Sequence, residues 1–107
     1  MATLSIQERK RLRQIGHALN PVVMIGGQGL TDSVIEETVR ALADHELIKI
    51  KIAGEDRDAR AEITDAIAQA TQSEVVQKIG KIVLLYKKAA KQNQKLSNLV
   101  RHAHLSK

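Results

Sequence analysis

An apolar run, Val22-Val23-Met24-Ile25, meets a glycine cluster, Gly26-Gly27-Gln28-Gly29, and then Leu30-Thr31-Asp32, which has the chemistry of a helix start. Strand, tight loop and helix N-terminus in that order constrain the chain more than any other stretch. They commit it to alternating α and β elements, and they leave backbone N–H groups exposed beside a favourable helix dipole. Anionic oxygens, above all phosphates, are the natural guests of such a corner.

The rest of the chain fills in around that corner. Ser5-Ile6-Gln7-Glu8 fits a capping box, opening a helix expected to reach about Ala18, with Leu12, Ile15 and Leu19 inward. It ends before Asn20-Pro21, because the residue ahead of a proline is pushed to extended geometry. Arg9, Arg13 and His17 recur every fourth residue and share a face. The strand Val22–Ile25, apolar on both sides, suits a covered, central position. Thr31 is the expected N-cap of a helix from Asp32 to about His45, with Ile35, Val39 and Leu42 inward; Asp32, Glu36, Arg40 and Asp44 line its solvated face. Leu47 to Ala53 alternates, with Ile48, Ile50 and Ile52 on one face and Lys49 and Lys51 on the other. Glu55, Asp56 and Asp58 crowd the start of a third helix, whose expected buried stripe is Ala59, Ile63, Ala66, Ile67 and Ala70. Val75–Ile79 and Ile82–Tyr86 flank Gly80-Lys81, a two-residue hairpin signal.

The order α-β-α-β-α-β-β implies an α/β (α+β) fold: a mixed four-stranded sheet with three packed helices. Strands separated by helices tend to pair parallel, and the closing hairpin is antiparallel. Residues 1–88 are expected to form this domain. Residues 89–107 form a basic tail in which Leu96, Leu99, Val100 and Ala103 keep helical spacing, so both a frayed helix and a disordered arm stay open.

Charge identifies the class of partner. The chain carries a net +5, and after Glu74 it has Lys78, Lys81, Lys87, Lys88, Lys91, Lys95, Arg101 and Lys107 with no acidic residue. Such asymmetry points to a polyanion, most simply nucleic acid. Tyr86 is the sole aromatic residue, so recognition by bases stacked on aromatic faces is excluded, and binding should lean on phosphates, sugars and shape. Without cysteine there is no disulfide framework and no thiolate metal site. There is no long apolar run and the N-terminus is too polar for a signal peptide, so no membrane association is expected and the cytoplasm is the expected compartment.

Four blocks carry a family resemblance: Ala18-Leu19-Asn20-Pro21-Val22-Val23; Ile25-Gly26-Gly27-Gln28-Gly29-Leu30-Thr31; Ala41-Leu42-Ala43-Asp44-His45-Glu46-Leu47-Ile48-Lys49-Ile50; and Val76-Gln77-Lys78-Ile79-Gly80-Lys81-Ile82-Val83-Leu84-Leu85-Tyr86. Over roughly Leu4 to Lys88 the chain resembles the CRM domain (chloroplast RNA splicing and ribosome maturation), in its small stand-alone bacterial YhbY-type form. The resemblance implies an RNA-binding domain similar in fold to the C-terminal domain of translation initiation factor three. It further implies association with precursors of the large ribosomal subunit. The family's GxxG loop maps onto Gly26, Gly27, Gln28 and Gly29. Bacterial members often carry a lysine inside that loop and a basic residue where Asn20 stands. Here Gly27 and Asn20 occupy those positions, which shifts weight onto backbone N–H groups and flanking cations.

Gly26-Gly27-Gln28 also spells the GGQ tripeptide of peptidyl-tRNA hydrolases, an enzymatic alternative. That chemistry needs the glutamine at the tip of a projecting loop, whereas Gln28 stands three residues before the cap Thr31. A dinucleotide site lacks its full glycine pattern, and no serine, histidine and carboxylate set forms a triad. His45 suits a helix C-terminus, and His102 and His104 alone make a poor metal site. No cofactor and no metal are therefore expected. A protein-interaction module on the ribosome is the remaining alternative. The favoured reading is a non-enzymatic, monomeric chain that binds RNA, the RNA being that of the large-subunit precursor. Gly26, Gly27, Gln28, Gly29 and Thr31 form the contact loop, with Arg9, Arg13, Lys49, Lys51, Lys87 and Lys88 as surrounding charge.

Overall fold

The computed structural model describes residues 4–102. Ala103, His104 and Lys107 of the tail lie outside the described residues. Helix α1 (Ile6–Gly16) opens on the expected capping box: Ser5 Oγ accepts from Glu8 N–H at 3.1 Å, and Glu8 Oε1 accepts from Ser5 N–H at 3.2 Å. Hydrogen bonding to the carboxylate from the Ser5 backbone N–H, and then from the Ser5 side chain, holds the Glu8 carboxyl below its ordinary value. Strand β1 (Pro21–Ile25) leads through the glycine loop to α2 (Asp32–His45), β2 (Leu47–Ile52), α3 (Arg57–Thr71), the hairpin β3 (Glu74–Ile79) and β4 (Ile82–Tyr86), and a short α4 (Asn98–Arg101). Helix α4 falls inside the segment for which the sequence leaves helix and disorder open. No helix among the described residues is long and apolar enough to cross a membrane.

The sheet order is β1-β2-β4-β3, with β1 parallel to β2 and the other pairs antiparallel. This is the mixed four-stranded sheet that the element order implies. The second crossover places β3 at the far edge, and β4 returns between β3 and β2.

Strand β1, expected to be covered and central, is instead an edge strand. Val23 and Ile25 are buried, while Val22 is 46% and Met24 67% exposed. An unbroken apolar run fits burial on both faces, but it equally fits an edge strand whose second face lacks a covering helix.

Two cores form on the two faces. Helices α2 and α3 cover one face, burying Val23, Ile25, Leu42, Ile48, Ile50, Ile52, Ile67, Val83 and Leu85. Helix α1 covers part of the other through Leu12, Ile15, Leu47, Val76 and Leu84, with Leu19 half-buried beside them.

Two helix stripes run differently from expectation. In α2, Ile35 and Leu42 face inward as expected, but Val39 is 44% exposed and Val34 and Thr38 complete the inward line. In α3, Ala59, Ala66 and Ala70 are exposed, while Thr64, Ile67 and Thr71 are buried. The buried hydroxyls explain the shift. Thr38, Thr64 and Thr71 each donate to the carbonyl four residues back, at 2.7, 2.8 and 2.7 Å, so the hydroxyl is satisfied within the helix and the methyl can pack inward.

Candidate nucleic-acid interface

The loop Gly26–Gly29 closes on itself: Gly29 N–H donates to Gly26 C=O at 3.0 Å. Gly29 has φ +71°, a left-handed conformation that a side chain resists, whereas Gly26 and Gly27 do not lie in that region. A Cβ at Gly26, Gly27 or Gly29 would meet nothing within 4 Å. The glycines therefore leave the outer side of the turn bare, so another backbone can approach closely. Gly27 and Gln28 N–H make no hydrogen bond among the described residues. Thr31 caps α2 as expected, its Oγ1 accepting from Val34 N–H at 3.2 Å. Of the five loop positions singled out from the sequence, Gly27 and Gln28 present free amides, while Gly29 and Thr31 shape the turn that presents them.

The sheet face beside this loop is open. Met24, Lys51, Ile82 and Ile79 stand in register across the four strands, on the same face as α1. Helix α1 ends at Gly16, over Leu84, and does not reach this row. Lys51 and the 59%-exposed Ile79 are consequently accessible. Lys49 lies one repeat further along β2, where it lines a shallow hollow with Gly16, His17, Gln77, Ile79, Ile82 and Leu84. The expected pairing of Lys49 and Lys51 on one accessible face is present, and His17 at the end of α1 joins it.

The other cations are placed differently. Arg9 Nη1 donates to Val75 C=O at 2.9 Å and Val76 C=O at 3.1 Å, and its Nη2 stands 3.7 Å from Glu74 Oε2. Lys87 donates from Nζ to Thr71 C=O at 3.1 Å and from its backbone to Glu46 C=O at 2.9 Å. Lys88 follows it, exposed. Arg9, Lys87 and Lys88 border the end of the sheet where Leu47 pairs with Tyr86, and Tyr86 with Glu74. The loop lies at the opposite end, separated by the length of β2, about 17 Å at roughly 3.3 Å per residue. Arg13, half-buried one helical turn beyond Arg9, stands between the two ends.

The structure thus brings together the glycine loop, Lys51, Lys49 and His17, and sets Arg9, Lys87 and Lys88 apart. Lys81, which the sequence presents as a hairpin residue within the basic C-terminal part and not as a contact, belongs to the loop end: Ile52 N–H donates to Lys81 C=O, and Ala53 N–H donates to Ile25 C=O. A basic residue in a hairpin whose strands lie beside β2 is the signal available for it. Among the described residues no group of three or more histidines or carboxylates is placed to hold a metal ion.

Known proteins match the chain over most of its length. Residues 4–87 match the CRS1/YhbY (CRM) domain family. The chain is 44% identical over 100 residues to the Pseudomonas aeruginosa "Probable RNA-binding protein PA4753", covering 94% of this chain and 96% of that one. It is 48% identical over 87 residues to an RNA-binding protein of Haemophilus influenzae, covering 81% and 88%. In structure it is similar to Staphylococcus aureus SAV1595, described as a candidate RNA-binding protein, with a TM-score of 0.74 at 28% identity, over 89% of this chain and 98% of that one.

Proposed function

The chain belongs to the CRS1/YhbY (CRM) domain family, and from that membership we propose that it binds RNA without transforming it. The RNA would be that of a large-ribosomal-subunit precursor, and the role assistance in its assembly. The observation that carries the reading is the Gly26–Gly29 turn, with bare outer space and free amides at Gly27 and Gln28, beside an open sheet face bearing Lys49 and Lys51.

Two amides and close backbone approach suit sugar-phosphate oxygens of a single strand. Lys49 and Lys51 neutralise phosphates that pass over the open face, and Met24, Ile79 and Ile82 offer aliphatic contact to sugars or base faces without selecting a base. The relatives' names, which speak of RNA binding, support the partner class. A hydrolytic role for Gln28 finds no support in its setting, a four-residue turn closed by Gly29 rather than a projecting tip.

Binding of a single-stranded oligoribonucleotide tests the first part. Log affinity should fall with log salt by about 0.7 per phosphate neutralised, and the double change Gly27→Asp with Gln28→Asp should weaken binding while the protein stays folded. A flat salt response, or full affinity in that variant, would remove the loop as the contact. Sedimentation of cell extract tests the second part: the protein should travel with large-subunit precursors, and migration only as free protein would refute the assembly role.

A further inference from the structure

On the helix-covered side of the same sheet end lies a cleft of about 350 Å³ between α3 and the β3–β4 hairpin. Arg57, Arg60, Lys78 and Lys81 line it, and no carboxylate does. Its origin is geometric. Arg57, Arg60, Ala61 and Thr64 recur at the one-face spacing of a helix, while Asp58, Glu62 and Asp65 fall on a different face of α3. Lys78 pairs with Val83, and so shares the face on which α3 packs.

Two of the four cations are held in place. Arg60 Nη1 donates to Gly54 C=O at 2.6 Å, and Lys81 Nζ donates to Glu55 Oε1 at 3.1 Å. The Glu55 side chain is 95% exposed, so this is a surface pair of the kind that contributes little and that an incoming anion can replace. The side chains of Arg57 and Lys78 make no hydrogen bond or ion pair among the described residues. Asp56, adjacent in sequence to Arg57, already accepts from Asp58 and Ala59 N–H through Oδ1. The attraction in the cleft therefore comes from side chains and not from the helix terminus.

Four cations around one concave site, two of them unpaired, form a receptor for a phosphate. We propose that this cleft is a second phosphate site for the RNA strand held at the Gly26–Gly29 loop, an inference that rests on the RNA-binding reading. The loop ends β1 and the cleft borders the hairpin two to three strands away, about 10–15 Å at roughly 4.8 Å per strand. A short single-stranded segment spans that distance, so the strand crosses the sheet end from loop to hairpin. Lys81 sits where such a path would enter the cleft.

The test is the salt dependence of binding for a mixed-sequence single-stranded oligoribonucleotide. Three versions of the full chain are compared: the unaltered protein, Arg57→Gln with Lys78→Gln, and Arg40→Gln with Lys95→Gln, which removes equal charge elsewhere. Melting curves check that each is folded. The cleft variant should bind more weakly, with the slope of log affinity against log salt reduced by about 0.7 for each phosphate no longer neutralised, and the control variant should keep the original slope. An unchanged slope in the cleft variant, or an equal fall in the control, overturns the cleft. If binding nonetheless weakens on changing Gly27 and Gln28 to Asp, the RNA-binding reading survives without the cleft. If the unaltered protein does not bind the oligonucleotide, the reading falls and the cleft with it.

Discussion

The Glu46 carboxylate accepts a hydrogen bond from the Ser97 hydroxyl at 2.8 Å, joining residues 51 positions apart. The same carboxylate accepts from Gln92 Nε2 at 2.6 Å and from Ala89 N–H at 3.0 Å. Glu46 is 2% exposed and adopts φ 62° with ψ −51°, a sparsely populated backbone geometry that costs a non-glycine residue about 1–3 kcal/mol. That turn ends α2, starts β2 and points the carboxylate at the segment beyond Tyr86. Asn98 Nδ2 adds a bond to Leu47 C=O at 2.6 Å. Glu46 therefore fastens the stretch from Ala89 to Ser97 to the sheet, and Asn98 adds its own attachment.

The first prediction concerns pH. Burial works to raise the Glu46 carboxyl, but the hydrogen bonds from Ala89, Gln92 and Ser97, with Lys88 nearby, outweigh it and hold the group below its ordinary 4.5. A carboxyl depressed in the folded state contributes stability that is present above its unfolded pKa and is lost as pH falls through the folded value. Glu46→Gln should lower stability at neutral pH by about 1–3 kcal/mol, the range for an unsatisfied buried group. The gap between the two proteins should then narrow as pH drops below 4.5. Urea unfolding across that range measures it, and a gap independent of pH would contradict the assignment.

Arg9 gives the second prediction. The β3–β4 register shifts between Val75 and Gln77, a bulge that leaves strand carbonyls outside the regular ladder. The Arg9 guanidinium takes up the Val75 and Val76 carbonyls with two N–H groups, beside Glu74. Arg9→Ala should destabilise the domain by about 1–2 kcal/mol. Arg9→Lys should restore only part of that, because an ammonium lacks the planar fork. RNA affinity measured on the folded fraction should change little. A loss of affinity at unchanged stability would return Arg9 to the binding surface.

These two residues mark where the sequence is legible and where it is not. Caps at Ser5 and Thr31 and the alternation of β2 are readable because each depends on neighbours a few positions away. The sheet composition follows from element order. Hydrophobicity, however, does not reveal that Thr38, Thr64 and Thr71 face inward, since their hydroxyls are satisfied by helix carbonyls. That omission rotates the expected stripes onto Val39 and the exposed alanines. The edge position of β1 is hidden because strand order sets it, β4 returning on the far side of β2, and its open face is hidden because the chain does not announce how far α1 extends over the sheet. The glycine loop and the Lys49/Lys51 face are legible from local pattern. Arg9 and Lys87 group with them by charge alone, and only the register separates charges near the loop from charges engaged by backbone carbonyls.

Gly16 supplies the third prediction. It is the last residue of α1, and a Cβ there would meet both methyl carbons and Cγ of Leu84. Leu84 is itself in the core, so the leucine has little room to yield. Gly16→Ala should gain in helix propensity but lose more through overpacking, for a net cost of about 1–2 kcal/mol. At roughly 4–8 °C per kcal/mol for a domain of this size, thermal unfolding would detect the shift. A neutral result would mean that Leu84 finds another rotamer and that α1 does not need its close approach to β4.

The glycine loop allows conformation to be separated from contact. Gly29 has φ +71°, and a side chain there would be strained although its surroundings are empty. Gly29→Ala should therefore cost about 1 kcal/mol or somewhat more and should distort the turn that presents the Gly27 and Gln28 amides. Gly27 lies outside the left-handed region, with nothing within 4 Å of an added Cβ, so Gly27→Ala should leave the melting temperature near its original value. Any effect of Gly27→Ala on RNA affinity then reports close approach of the ligand rather than loss of fold. Parallel melting and oligoribonucleotide titrations of the two variants distinguish the roles. The expected pattern is a stability change confined to Gly29→Ala, with weakened binding in both. Binding unaffected by Gly27→Ala would mean that the RNA backbone does not pass within contact of this turn.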